Sequence, residues 1–363
     1  MDKLNTKHLM FLIWGTSIIA MKTYPNVFII DGGRDSWISV IIASIILLLY
    51  FIYILFVCKK NKCYKMDEIY HKALGKTIGN IFLILFIIAL IVSLVEISSV
   101  ESNALHLDML PNTPTWFFLL FILLPAIYIT NKGTRAIIII TIIGISLIMV
   151  AGVNLAVLTA KYKKLNYLLP IMGDGITFPF IISVIKALGC YGSIAICIPF
   201  LSRVYNKSKI IKHCTIAILV VIQMEIFSTI GVISTFGPVR VLNINYPKII
   251  QTQLISYFSF LEGGEFFVML QMVGGWFIKY VLALSAILIL LKNLSLLNKY
   301  SIYIITLIVF TVSYFISAEA YLVYNFLNIF VYFSVVSFIL IPTIIFSIFH
   351  FKTRNNNKAP IKK

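Results

Sequence analysis

The sequence predicts an all-α integral membrane protein of about ten transmembrane helices, arranged as a 5+5 inverted repeat with helices one and six broken. Three observations predict it. Of the 363 residues, 60% are hydrophobic and 12% charged, with a mean hydropathy of +1.00; a soluble domain has too little interior to hide that much apolar surface. Apolar runs of roughly 18 residues or more recur along the chain, each able to cross a ~30 Å hydrocarbon core as a helix that satisfies its own backbone hydrogen bonds. Two of these runs, the first and the sixth, are interrupted midway.

The spans read as 8–30, 36–58, 79–104, 115–131, 135–159, 176–204, 209–236, 265–291, 299–318 and 322–350. Together they make one polytopic domain over 1–351, followed by a basic, disordered cytoplasmic tail over 352–363. Two connections are long. Residues 59–78 read as a basic loop, and 237–264 read as a loop holding an amphipathic helix with Ile250, Leu254, Tyr257 and Leu261 on one stripe. The first apolar run passes into "MKTYP" without a small-residue cleavage site, so no cleavable signal peptide is expected.

Orientation follows from the basic residues. With the N-terminus inside, the inner segments carry 21 Lys and Arg and the outer loops 6. That asymmetry over short loops places both termini in the cytoplasm. The net charge of +17 therefore reflects topology and anionic headgroups rather than nucleic acid. Cys58, Cys63, Cys190, Cys197 and Cys214 lack zinc or haem spacing and read as reduced thiols.

Span one contains "IIAMKTYPNVF", where Pro25 removes a backbone donor and disfavours helix at Tyr24. Span six contains "ALGCYGSIAICIPF", where Gly189 and Gly192 permit an unwound turn ahead of Pro199. These are the first members of two groups of five spans, and interrupted helices near the bilayer midplane frame transporter substrate sites. A proline kink and close helix packing are the plainer alternative. Charge gathers in the same places: Lys22 at the first break, Glu96 and Glu101 in span three, Lys186 before the second break, Glu225 in span seven and Lys279 in span eight. A mid-bilayer charge costs at least ~2.5–3.5 kcal/mol on insertion scales, so these groups face the interior, with structural ion pairs as the plain reading. Lys186 has the option of snorkelling to the interface. Glu101, His106 and Asp108 are expected to face outer water.

Four stretches carry a resemblance. They are "YPNVFIIDGGRDSWIS" with Asp35 and Trp37, "LLPIMGDGITFPF" with Phe178 to Phe180, "FGPVRVLNINYPKIIQTQLISYFSFLEGGEFF" with Tyr246, Pro247 and Glu262, and "GGWFIKY" with Phe277 to Lys279. In this order and spacing the chain resembles the B subunit of GerA-type spore germination receptors, a branch of the amino acid–polyamine–organocation superfamily. It departs from that pattern at Gly263 and Gly264, at the displaced Trp276 and at Lys22, which leaves substrate identity open. The resemblance implies a fold like the amino-acid transporter LeuT, with a ligand site framed by helices one, three, six and eight. It also implies a sensor of a small-molecule germinant, an amino acid or similar, in the spore inner membrane, with receptor A and C subunits as partners.

On that reading Lys22, Thr23, Tyr24, Glu96, Gly189, Cys190, Tyr191 and Gly192 form the ligand site, with backbone N–H groups after Pro25 or Gly192 receiving a germinant carboxylate. Lys22 pairs with an anionic ligand or with Glu96. Lys279 is expected to replace the cation of sodium-driven relatives, held by carbonyls freed at the span-one break and by Glu96 or Glu225, coupling protonation to opening. A proton-coupled amino acid transporter needs the same features and is the alternative. No enzyme, catalytic residue, metal site or cofactor is expected: His8, His71, His106, His213 and His350 lie at or beyond span ends, and no zinc-hydrolase motif is present. A channel is disfavoured because no filter segment repeats.

Overall fold

The computed structural model describes residues 4–257, 261–262 and 264–356. Among the described residues fifteen α-helices follow one another: α1 (Thr6–Ser17), α2 (Ala20–Thr23), α3 (Asn26–Gly32), α4 (Ser36–Lys60), α5 (Met66–Leu74), α6 (Lys76–Asp108), α7 (Thr115–Asn131), α8 (Thr134–Leu158), α9 (Phe178–Tyr191), α10 (Ile210–Phe236), α11 (Pro247–Gln253), α12 (Glu265–Asn293), α13 (Ser301–Ser317), α14 (Ala320–Ser334) and α15 (Ile341–Asn356). Each of the ten expected spans falls on a helical stretch. Seven helical segments among the described residues are long and apolar enough to cross a membrane, and α7 and α13 are shorter apolar helices. This is a multi-pass membrane protein. Its outer surface is apolar, as on α13, where Tyr303, Ile304, Leu307 and Phe315 are all more than half exposed, which suits a lipid surround. The most apolar stretches of α12 and of the segment holding α9 are the most enclosed among these segments.

The first span is cut twice. α1 ends at Ser17 and α2 begins at Ala20 after a bend. At the second cut Tyr24 takes φ −125° and ψ 57°, outside the helical region, and Pro25 starts α3. Pro25 has no N–H, so the Met21 carbonyl loses its usual helical donor. The sixth span does not unwind into extended chain. α9 starts behind a Thr177 cap, whose Oγ1 accepts from the Phe180 N–H at 3.3 Å. It then tightens into 3-10 turns over Gly192–Cys197 and Pro199–Arg203. The interrupted segments lie side by side. Thr16 Oγ1 is 3.4 Å from Cys197 Sγ, and Ser183 Oγ donates to the Phe28 carbonyl at 2.8 Å.

Several expectations about the connections change. Residues 59–78 are not merely a loop. Met66, Ile69, Tyr70 and Ala73 are buried at helical spacing, so α5 is an amphipathic helix packed on α6 and α15. Gly75, at φ +85°, makes the turn into α6. The helix expected through Leu261 is shorter, because α11 ends at Gln253. Residues 256–257 then pair antiparallel with 261–262, with Ser256 opposite Glu262. β-branched Ile255 and aromatic Tyr257, either side of Ser256, favour extended chain over a continued helix. Gly263 lies outside the described residues. α15 runs to Asn356, past the expected boundary of the tail, and Lys352 Nζ donates to the Ala73 carbonyl at 2.7 Å.

Candidate functional site

α6 carries Glu96 and α12 carries Lys279 into the middle of the bundle, and each side chain is 0–1% exposed. The Lys279 ammonium donates to both Glu96 oxygens, at 3.0 Å to Oε1 and 2.8 Å to Oε2. Tyr24, at the break of the first span, donates its hydroxyl to the same Oε1 at 2.7 Å. One helical turn before Lys279, Trp276 lays its ring 4.7 Å from the ammonium and stacks with Tyr24 at 6.2 Å. The carboxylate thus accepts three hydrogen bonds, and the ammonium adds a cation–π contact that gains strength where water is excluded. Two charges leaving water lose several kcal/mol each, which only close pairing of this kind offsets.

The expected pairing of Lys279 is resolved in favour of Glu96. One part of the expectation is corrected: among the described residues no backbone carbonyl freed at the break bonds Nζ, and the break contributes the Tyr24 hydroxyl instead. Of the two partners expected for Lys22, Glu96 is excluded, because its cation is Lys279. Lys22 is 8% exposed and faces Glu225, which is fully buried with neither oxygen hydrogen-bonded. Thr23 turns its hydroxyl back onto the Ile19 carbonyl at 2.9 Å.

On the other broken span, Tyr191 OH lies 2.8 Å from Ser44 Oγ on α4, and Cys190 is buried beside the Glu96–Lys279 pair. Gly189 and Gly192 face α14. A Cβ on Gly189 would collide with the Val331 backbone, and one on Gly192 with Ser334 Oγ. Ser334 Oγ in turn donates to the Gly189 carbonyl at 2.8 Å, answering an acceptor near the end of the α-helical ladder. These glycines therefore permit close helix contact. Directly after Ser334 the chain adopts a π-helical stretch, Val335–Leu340.

Lys186 does not snorkel; it pairs with Asp31 at 2.7 Å and reaches Asn328 Oδ1 at 3.3 Å. Glu101 does not face water. It is 0% exposed with both oxygens unpartnered. Tyr246 OH donates to Asn103 Oδ1 at 2.7 Å, and Asn103 Nδ2 donates to the Ser317 carbonyl at 3.1 Å. His106 and Asp108 are half-buried, with His106 Nδ1 2.8 Å from the Thr113 carbonyl. The five cysteines are free and buried. Residues the sequence reading passed over are Ser44 and Ser334, whose only signal is a small polar side chain within an apolar run.

The matching stretches have structural work to do. Asp35 Oδ1 accepts from the Met172 N–H at 2.9 Å, so the start of α4 is tied to the approach to α9. Asn26 Nδ2 donates to the Ile244 carbonyl and Tyr324 OH to that of Asn245, fastening the long loop over the first break.

Comparison with known proteins agrees with this architecture. The family model for spore germination proteins of the permease type matches residues 3–319. The chain belongs to the spore germination permease family. Spore germination protein XB of Bacillus anthracis is 24% identical over 279 residues, covering 76% of this chain and 77% of that one. The crystal structure of a manganese transporter variant from Eremococcus coleocola superposes with a TM-score of 0.60 at 12% identity, over 93% of this chain and 78% of that one. At that identity the likeness shows the shared transporter fold alone. Among the described residues no three His, Cys, Asp or Glu side chains converge.

Proposed function

We propose that this chain is the germinant-sensing, permease-like B subunit of a spore germination receptor, lying in the spore inner membrane with ten spans and both termini cytoplasmic. The observation that carries this reading is the Tyr24–Glu96–Lys279 network, which ties the break of the first span to α6 and α12. A small molecule, an amino acid or similar, binds at the interrupted spans, beside Tyr24, Cys190 and Tyr191. Contact with Tyr24 competes for its bond to Glu96, and any rearrangement of Glu96 is felt by Lys279 on α12. The ligand favours one of two arrangements of the bundle, and the A and C subunits read the change in population. Membership of the family supports this role, and no catalytic step is assigned to any residue.

The test is germination of spores lacking this gene against amino acids, sugars, nucleosides and bile salts, scored by loss of refractility. Loss of response to one ligand class is expected, together with the same loss in spores carrying Lys279→Met. An unchanged response, with amino-acid uptake lost from growing cells, would replace this reading by a proton-coupled transporter. A Lys279→Met receptor that accumulates normally and responds normally would remove the network from the mechanism.

A further inference from the structure

A second cluster of charge lies toward the end of the bundle covered by the 237–264 loop. Lys22 projects from α2, Glu225 from α10, Lys248 from α11, and Lys163 from the turn after α8. α2, α10 and α11 pack on one another. Gln251, one turn along α11, fixes the geometry. Its Oε1 accepts from Lys248 Nζ at 2.8 Å, and its Nε2 donates to the Gly231 carbonyl at 3.0 Å and to Thr235 Oγ1 at 2.6 Å. Lys163 reaches the same face of α10: a Cβ on Gly231 would lie 4.0 Å from its Nζ. No ion pair within 4 Å closes between Lys22 and Glu225. Both are more than nine-tenths buried, the Glu225 oxygens accept no hydrogen bond, and Asn26 Oδ1 just beyond the break is also unpartnered.

The balance of this cluster is three ammonium groups against one carboxylate. Positive-inside topology acts against lysines at this end of the bundle, since the loops there hold 6 of the 30 basic residues, yet two of the 6 turn inward to join Lys22. Lys22 is buried and Lys163 and Lys248 are half-buried; charge so placed without a full counter-charge is costly, and the arrangement is suited to an anion that completes it. We infer that Lys22, Lys163 and Lys248 form a binding site for a small oxyanion, a carboxylate or a phosphate group, above the first-span break and separate from the Glu96–Lys279 pair. Glu225 limits the positive excess when the site is empty. Burial, with Lys22 and Lys163 close by and Glu225 opposing them, holds Lys248 down at about 7. The site is therefore strongest below neutral pH and weakens as Lys248 loses its proton. Among the described residues Lys22, Lys163 and Glu225 are the charges acting on Lys248. This inference goes beyond the receptor reading and stands whether the bundle signals or transports.

The test uses full-length protein in neutral detergent and inorganic sulfate, whose charge is constant between pH 6 and 8. Saturable sulfate binding is expected by calorimetry, tighter at pH 6 than at pH 8. Lys248→Gln and Lys163→Gln are each expected to weaken it about ten-fold, and Lys248→Gln also flattens the pH dependence. Lys212→Gln, the same charge change on an exposed residue, leaves it unaltered. Repeating the titration in nanodiscs with and without phosphatidylglycerol separates the sources: suppression by the anionic lipid assigns the site to a headgroup, and persistence assigns it to a soluble anion. No saturable binding by the wild type, or equal weakening by Lys212→Gln, would overturn the inference. Failure here leaves the germination test untouched, because that test reads the Glu96–Lys279 network.

Discussion

Two clusters of buried charge flank the same break in the first span, and they are built in opposite ways. Around Glu96 every charged atom is answered: two bonds from Lys279, one from Tyr24, and the Trp276 ring against the ammonium. Around Glu225 the opposite charges sense each other without touching, and the carboxylate accepts nothing. A closed pair gains from its own geometry and resists disturbance. An open one retains unspent electrostatic attraction, which is what a ligand can use. The fold thus places a rigid joint and a receptive gap within one interrupted helix.

Breaking the closed cluster gives the largest expected effect. Lys279→Met strands Glu96 in an apolar interior and is expected to destabilise the protein by about 3–5 kcal/mol, seen as a sharp fall in the thermal unfolding midpoint in detergent. Adding Glu96→Gln to that variant should recover much of the loss, since no buried charge then remains unpaired. Tyr24→Phe removes one hydrogen bond to a charged acceptor and should cost about 1.5 kcal/mol, with germination or uptake affected more than stability. At the open cluster the size of the effect is expected to differ. Glu225→Gln loses no hydrogen bond and should change stability by less than about 1 kcal/mol; a loss as large as that of Lys279→Met would show that the two clusters are built alike. The smallest effect is a pH dependence. Lys248 is held near 7 in the fold against 10.5 for an ordinary lysine. The unfolded chain therefore binds more protons between these values, and stability rises with pH from about 7 toward 10. Melting curves across that range should show the rise, and Lys248→Gln should flatten it.

The architecture was readable from composition and periodicity because a bilayer imposes length and apolarity on each span. Pro25 was readable because a missing donor is a local property. Partners were not. Glu96 and Glu225 look alike as single acids in apolar runs, and only the rotation of α6 and α10 about their axes decides which one meets Lys279. Glu101 was misplaced for a similar reason: its burial depends on helices that pack on α6 from elsewhere in the sequence. α5 had a legible stripe in Met66, Ile69, Tyr70 and Ala73, masked by the lysines around it. Gly189 and Gly192 read as places for an unwound turn, but what they admit is the Val331 backbone and the Ser334 side chain of α14, which no pattern within the sixth span could reveal.

The π-helical stretch at Val335–Leu340 sits between two fixed points, the Ser334 bond to Gly189 and the Lys352 bond to Ala73. A π turn carries one residue more than an α turn, so it sets the phase of everything after it. Removing a single residue there would return the segment to α-helical winding and leave the faces of α14 and α15 in their present relation, whereas imposing α-helical winding with every residue kept would rotate α15 by about 100° relative to α14. In that second case Ser334 would keep its hold on the sixth span while Lys352 swung away from α5. The last helix is in this sense a dial whose setting is stored in one extra residue, joining the centre of the bundle to its far rim.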